Sequence, residues 1–250
     1  MQNSFFCKKT YINLYKSASL NSKISSQLLY GEKFKILKKK KKFLKIKTNY
    51  DKYVGYIKLS KFIDKFIETH KVSVLKSRIF TNPNNLAKSK TKKFLPFSSK
   101  IQVIKKKNNF VMFENNKWLH TKDIKLINQK DKNILKILKL FLNCKYKWGG
   151  KTYNGIDCSA LIQLFYKFNN KFFPRDTVDQ IKFKKGTNKK IKFKFGDIIY
   201  WKGHVAICIN SKELIHAYGP RKKVLIMQIN KTIKLIKKTA NLEVKKIFSI

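Results

Sequence analysis

Trp148-Gly149-Gly150, followed by Gly155-Ile156-Asp157-Cys158-Ser159-Ala160-Leu161, decides how the rest of the chain is read. The run continues into Ile162, Leu164, Phe165, Tyr166 and Phe168. Glycine-rich backbone, a polar residue and then an amphipathic series predict a loop that opens a helix, with Asp157 at the N-cap. Cys158 then falls in the first turn, where unpaired N–H groups and the helix dipole favour an anion. An ordinary thiol titrates at about 8.5, but at a helix start beside a histidine it can ionise and attack carbonyls. Free cysteines are more often buried core residues. A cysteine preceded by aspartate in a glycine-flanked helix start fits that role poorly, and Cys158 is a nucleophile candidate.

A base follows further on. Gly196-Asp197 opens a strand-like run, Ile198 to Ile209, that contains Gly203-His204-Val205-Ala206-Ile207. The polar residues Asn210, Ser211 and Lys212 separate it from Leu214-Ile215-His216-Ala217. A three-residue hairpin loop would pair Ile209 with Glu213 and put His216 on the same face as His204, diagonally across the sheet. A loop of two or four residues would put the two rings on opposite faces, so the pairing depends on the loop. The chain has four histidines, and the other two, His70 and His120, sit elsewhere in polar surroundings.

Six blocks in order carry a resemblance. They are Tyr146-Lys147-Trp148-Gly149-Gly150, Asp157-Cys158-Ser159, Pro174-Arg175-Asp176-Thr177, Gly196-Asp197, Gly203-His204-Val205-Ala206-Ile207 and Ile215-His216-Ala217. Together the last half of the chain resembles the NlpC/p60 cysteine peptidases. The resemblance implies Cys158 as nucleophile, His204 as base, His216 as the polar residue that orients the imidazole, and Tyr146 beside the nucleophile. Lys145 and Ala160 stand where the family pattern commonly has proline and glycine. Neither change removes a reacting group, and alanine suits a helix interior better than glycine does.

The first half is built differently. Tyr11 to Tyr15, Gln27 to Glu32, Phe34 to Leu37, Phe43 to Ile46 and Val54 to Ile57 are short alternating segments of the kind that close small β-barrels. The pattern repeats: Lys33-Phe34-Lys35-Ile36-Leu37 is echoed by Lys100-Ile101-Gln102-Val103-Ile104, and Gly55-Tyr56-Ile57 by Lys117-Trp118-Leu119. Both copies resemble bacterial SH3-like barrels, at residues 8–66 and 71–127. A catalytic domain over 131–250 follows, starting with a helix that Asp131 can cap. The expected fold class is α+β: a papain-like domain with a Cys-bearing helix on an antiparallel sheet, preceded by two all-β barrels. Strands around 224–227 and 244–248 are expected to complete the sheet, and lysine-rich 230–239 to be surface.

Two barrels ahead of such a domain resemble the γ-D-glutamyl-L-diamino acid endopeptidases. That resemblance implies cleavage of peptidoglycan stem peptides with a free N-terminal L-Ala. It also implies that Asp157, Ser159 and Thr177 hold the substrate, and that Glu32 and Tyr56 of the first barrel contribute an acid and a tyrosine. No cofactor and no metal are expected, because the Cys and His spacings do not match a zinc site. Two rival readings stay open: a wall- or peptide-binding protein with an inactive catalytic domain, and a secreted hydrolase of intact wall.

Net charge is +46, with 59 Lys and Arg against 13 Asp and Glu. Lysine is spread through strands and loops with Asn, Ile and Phe, and forms no arginine-rich or aromatic-interleaved stripe. That pattern fits a lysine-biased composition, so no specific nucleic-acid partner is expected, since basicity alone gives only non-specific affinity. Met1 to Thr10 has no apolar core of signal-peptide length, and no stretch approaches the ~20 apolar residues of a membrane span. The four cysteines have no paired spacing. The expectation is a cytoplasmic monomer without a membrane partner.

Overall fold

The computed structural model describes residues 4–84 and 86–250. Two compact units emerge. The first runs through Asp131 and includes Phe168–Asn170; the second comprises Lys132–Lys167 and Lys171–Ile250.

The first unit holds two β-structures. One is a seven-stranded sheet in the order Ile24–Leu29, Tyr11–Tyr15, Val54–Lys58, Phe43–Thr48, Lys33–Lys40, Ser4–Cys7, Phe62–Ile63. Alternation sets its inner face: Ile12 and Leu14 are buried between exposed or half-buried neighbours, and they meet Leu28, Phe34, Leu44, Ile46 and Ile57. The lysine run 38–42 is exposed at the hairpin tip, where Lys41 takes the left-handed φ of 51°. The other β-structure pairs a five-stranded sheet (Lys90–Pro96, Lys76–Phe80, Lys117–His120, Phe110–Glu114, Lys105–Lys107) with a three-stranded one (Lys100–Ile101, His70–Val72, Ile124–Leu126).

The expected echo at 100–104 is broken here. Lys100–Ile101 belongs to one sheet and Lys105–Lys107 to the other. Between them side chains supply part of the bonding: Thr69 Oγ1 accepts from the Val103 N–H at 2.8 Å, and Gln102 Oε1 from the Ile67 N–H at 3.0 Å.

Tyr30 joins the two β-structures. It leaves the first sheet at a turn and is buried with Val72, Ile79, Leu95, Ile101, Val111 and Leu119 of the second. Its ring meets Phe113 edge-on at 5.3 Å. The next residue, Gly31, has φ +73°, and the Lys100 N–H donates to the Tyr30 carbonyl at 3.0 Å. A Cβ at Gly31 would lie 2.2 Å from the Lys100 carbonyl oxygen, so only glycine fits this approach.

In the second unit a five-stranded antiparallel sheet runs Lys223–Gln228, Glu213–Tyr218, His204–Cys208, Asp197–Trp201, Lys246–Ser249. The helix Cys158–Phe168 is buried along its whole length, as suits an element apolar on nearly every side. One detail differs from expectation. The helix Ile134–Leu140 is capped by Asn133, whose side chain accepts from the Lys136 N–H, while Asp131 pairs with Lys125 at 3.1 Å. Residues 229–240 form a helix, with Ile229, Thr232 and Ile236 buried and its lysines outward. It covers the sheet face bearing Ala206, Cys208 and Leu214. No helix among the described residues is long and apolar enough to cross a membrane.

Candidate active site

Asp157 stands at the junction of loop and helix, and its carboxylate explains why the helix starts where it does. Oδ1 accepts from the Ala160 N–H at 2.8 Å, the N-cap bond to the third helical residue. The same oxygen accepts from the Ser159 hydroxyl at 3.1 Å, and Oδ2 from the Gly149 N–H at 2.9 Å. Arg175 completes the set. Its two terminal nitrogens reach Oδ1 at 3.0 Å and Oδ2 at 2.6 Å, and one of them also donates to Ser159 Oγ at 2.8 Å. Acid and guanidinium are 6% and 3% exposed. A forked, hydrogen-bonded pair is the form in which a buried carboxylate is tolerable.

Arg175 was quoted in a sequence block but given no role. The available signal was composition: the chain has three arginines (Arg78, Arg175, Arg221) among 59 basic residues. A site that keeps the planar fork in so lysine-rich a sequence needs bidentate geometry.

Cys158 follows Asp157 directly and is 5% exposed. The backbone N–H groups of Val205 and Ser159 are close enough to its sulfur to pull the thiol down. Val205 is the neighbour of His204 on the strand His204–Cys208, so the thiol sits by the start of that strand. Burial, reinforced by the Asp157 carboxylate, pushes the thiol up to about 12 despite those donors. Burial also lowers His204 to about 4. Burial thus works toward the uncharged form of both groups.

His204 and His216 are brought together by the hairpin. Its loop has three residues: the Ile209 N–H bonds to the Glu213 carbonyl at 2.9 Å, and Ile207 and Cys208 pair with Ile215 and Leu214. His204 Nε2 and His216 Nδ1 are 2.9 Å apart. His216, 1% exposed, stacks on Tyr218 with ring centroids 4.7 Å apart and planes 8° from parallel. Burial, with His204 as the smaller cause, lowers it to about 3.

Tyr146 lies against Gly219, where an added Cβ would meet its ring at 3.5 Å. Its hydroxyl is pushed well above the usual phenol range by burial first, then by Cys158 and Asp157 nearby. Tyr146, His204, Tyr218, Gly219, Leu235 and Leu242 border a cleft of about 660 Å³ within this unit.

The remaining sequence candidates are placed as follows. Ser159 lies inside the Asp157–Arg175 network. Thr177 is half-buried and opens the short helix Thr177–Gln180. Glu32 and Tyr56 belong to the first unit. Glu32 is buried, and its Oε2 accepts from the Leu29 N–H at 2.8 Å across its own turn. Tyr56 is half-buried in the strand Val54–Lys58, paired with Tyr15 and Lys45. Among the described residues no group of three or more His, Cys, Asp or Glu is arranged to hold a metal ion.

The helix-start cysteine, the paired histidines and the sheet between them coincide with a family match. The NlpC/P60 family model matches residues 143–240. The chain carries an NlpC/P60 domain. Ahead of that domain, residues 14–62 match the bacterial dipeptidyl-peptidase SH3 domain. Among curated proteins, the chain is 24% identical over 238 residues to a protein of Lysinibacillus sphaericus named dipeptidyl-peptidase 6, covering 82% of this chain and 84% of that one. It is 25% identical over 233 residues to a Bacillus subtilis protein named gamma-D-glutamyl-L-lysine dipeptidyl-peptidase, covering 84% and 77%. Among solved structures, an NlpC/P60 family protein from Bacillus cereus superposes with a TM-score of 0.76 at 18% identity, over 91% of this chain and 94% of that one. That likeness shows the shared α+β fold of the NlpC/P60 domain and its β-rich N-terminal region.

Proposed function

We propose that this NlpC/P60 protein is a cysteine peptidase that cuts the γ-D-glutamyl-L-diamino acid bond of peptidoglycan stem peptides bearing a free N-terminal L-Ala. The observation that carries the reading is the junction at Cys158. A buried thiol at a helix start lies by the Val205 N–H, next to His204, whose Nε2 is engaged by His216 at 2.9 Å. That leaves Nδ1 as the ring nitrogen for proton transfer. The choice of bond draws on relatives whose names specify dipeptidyl-peptidase activity and which align with more than four-fifths of the chain.

In this mechanism Cys158 Sγ attacks the γ-glutamyl carbonyl carbon as its proton passes to His204 Nδ1. The oxyanion is met by N–H groups at the helix start and by the Tyr146 hydroxyl. Collapse of the intermediate leaves a thioester, and His204 returns its proton to the departing diamino acid amine. Water deprotonated by His204 then hydrolyses the thioester, giving a free carboxyl group and restoring the thiol. Charge appears on the pair only during the reaction, which suits a neutral resting site. Asp157, held by Arg175, fixes the loop and helix start around the sulfur. A free-amine requirement fits the trimming of released wall fragments inside the cell better than attack on intact wall.

The test is hydrolysis of L-Ala-γ-D-Glu-L-Lys and of its diaminopimelate counterpart, each as free amine and N-acetylated, by wild type and Cys158→Ala. Cleavage of the free-amine peptides alone, lost in the variant, is the expected result. Equal cleavage of acetylated and free peptides would replace the trimming reading with a wall hydrolase. No cleavage of either by folded protein would favour the binding-protein reading.

A further inference from the structure

His216 Nε2 lies 3.3 Å from Met227 Sδ, on the neighbouring strand Lys223–Gln228. Met227 has no place in the mechanism above, yet its chemistry restricts how the two histidines carry their protons. A neutral imidazole has one N–H and one bare nitrogen, and a thioether sulfur accepts a hydrogen bond but donates none. His216 Nδ1 faces His204 Nε2 at 2.9 Å, and His216 Nε2 faces Met227 Sδ. One face of the ring is taken up by the stacked Tyr218.

Two arrangements are conceivable. With the proton on His216 Nδ1, its Nε2 lone pair would point at the lone pairs of the sulfur, and His204 Nε2 would have to accept. The proton of His204 would then sit on Nδ1, the atom needed as base. With the proton on His216 Nε2, every donor finds an acceptor. His216 donates to Met227, His204 Nε2–H donates to His216 Nδ1, and His204 Nδ1 keeps its lone pair for Cys158.

We infer that Met227 is a positioning residue, the far end of a Met227–His216–His204 relay whose thioether fixes both imidazoles as Nε2–H tautomers. The inference takes its reaction from the peptidase reading above, but its geometry does not depend on the substrate. A carboxylate in the place of Met227 would add a negative charge and favour an imidazolium. A thioether orients the rings while leaving the pair neutral.

The decisive measurement is the ¹⁵N NMR pattern of the ring nitrogens at neutral pH, which reports the position of each proton whether or not any peptide is cleaved. Wild type should show His204 and His216 both protonated at Nε2. An Nδ1–H tautomer on either ring would overturn the relay without any variant being made. Met227→Leu keeps the volume and removes the acceptor. It should give mixed tautomers on both rings and lower kcat about tenfold with KM little changed. Met227→Gln, which returns an acceptor oxygen, should restore the tautomers and much of the rate. Loss of rate in a folded Leu variant with unaltered tautomers would assign Met227 to packing and sink the inference. Failure of wild type to cleave any stem peptide would count against the proposed substrate and leave the NMR result standing.

Discussion

On one side of Cys158 the polar groups are charged and over-determined. Asp157 takes three hydrogen bonds from Arg175, Ser159 and Ala160 on one oxygen and two from Gly149 and Arg175 on the other. On the other side burial disfavours charge and the groups are joined singly, His204 to His216 to Met227. Multiple charge-assisted bonds hold geometry but resist any change in protonation. Single bonds between neutral rings hold orientation and leave a lone pair for a proton to reach. On the mechanism proposed above, the difference separates labour at the site: the aspartate side places the sulfur, and the histidine side moves its proton.

Substitutions can break that division. The largest effect is expected for His204→Gln, which should lower kcat by about 10²–10⁴-fold. Its thermal unfolding at pH 7 should stay close to wild type, as befits a group that works by proton transfer. Arg175→Met should do the reverse. Removing one partner of a buried pair costs about 3–5 kcal/mol, because the carboxylate is left uncompensated. Denaturant unfolding of Arg175→Met and of the double variant with Asp157→Asn checks this. The double variant should recover part of the loss, and additive losses would show that the two residues are not coupled.

Smaller changes sharpen the comparison. Ser159→Ala removes one hydroxyl that both donates to Asp157 and accepts from Arg175, and should cost about 1 kcal/mol by the same unfolding measurement. The pH dependence of stability tests the histidine side. His204 and His216 are lowered from 6.5 to about 4 and about 3, so the unfolded chain takes up protons that the native state refuses. Their contribution is complete above pH 6.5 and falls away on acidification toward those values. Unfolding of wild type and His216→Gln across that range should show a shallower acid limb in the variant. Parallel limbs would mean that His216 titrates alike in the native and unfolded states.

The candidate site was legible where its signals are local. Asp157 is an N-cap because a short carboxylate before an apolar run reaches back to the helix N–H groups, and this reads directly from neighbouring residues. The period-2 pattern placed both histidines on strands, but not on one face, because a polar loop does not declare its length. Asn210 decides it: its side-chain oxygen accepts from the N–H groups of Lys212 and Glu213 at 2.7 Å each and turns the chain in three residues. Arg175 and Met227 were out of reach because their partners lie 18 and 11 positions away in sequence. The helix 229–240 was obscured by composition. Its apolar stripe is narrow, and the lysines that fill its other faces read only as surface.

Tyr30 has a consequence for how such chains can be taken apart. It belongs by sequence to the first barrel and by packing to the second, with Gly31 fitted against the Lys100 backbone beneath it. A cut between the two repeats would leave the second barrel with a phenol-sized hole and the first with an aromatic ring in water. The two copies are therefore not interchangeable beads. A recombination event that moved one without the other would carry away part of its neighbour's interior.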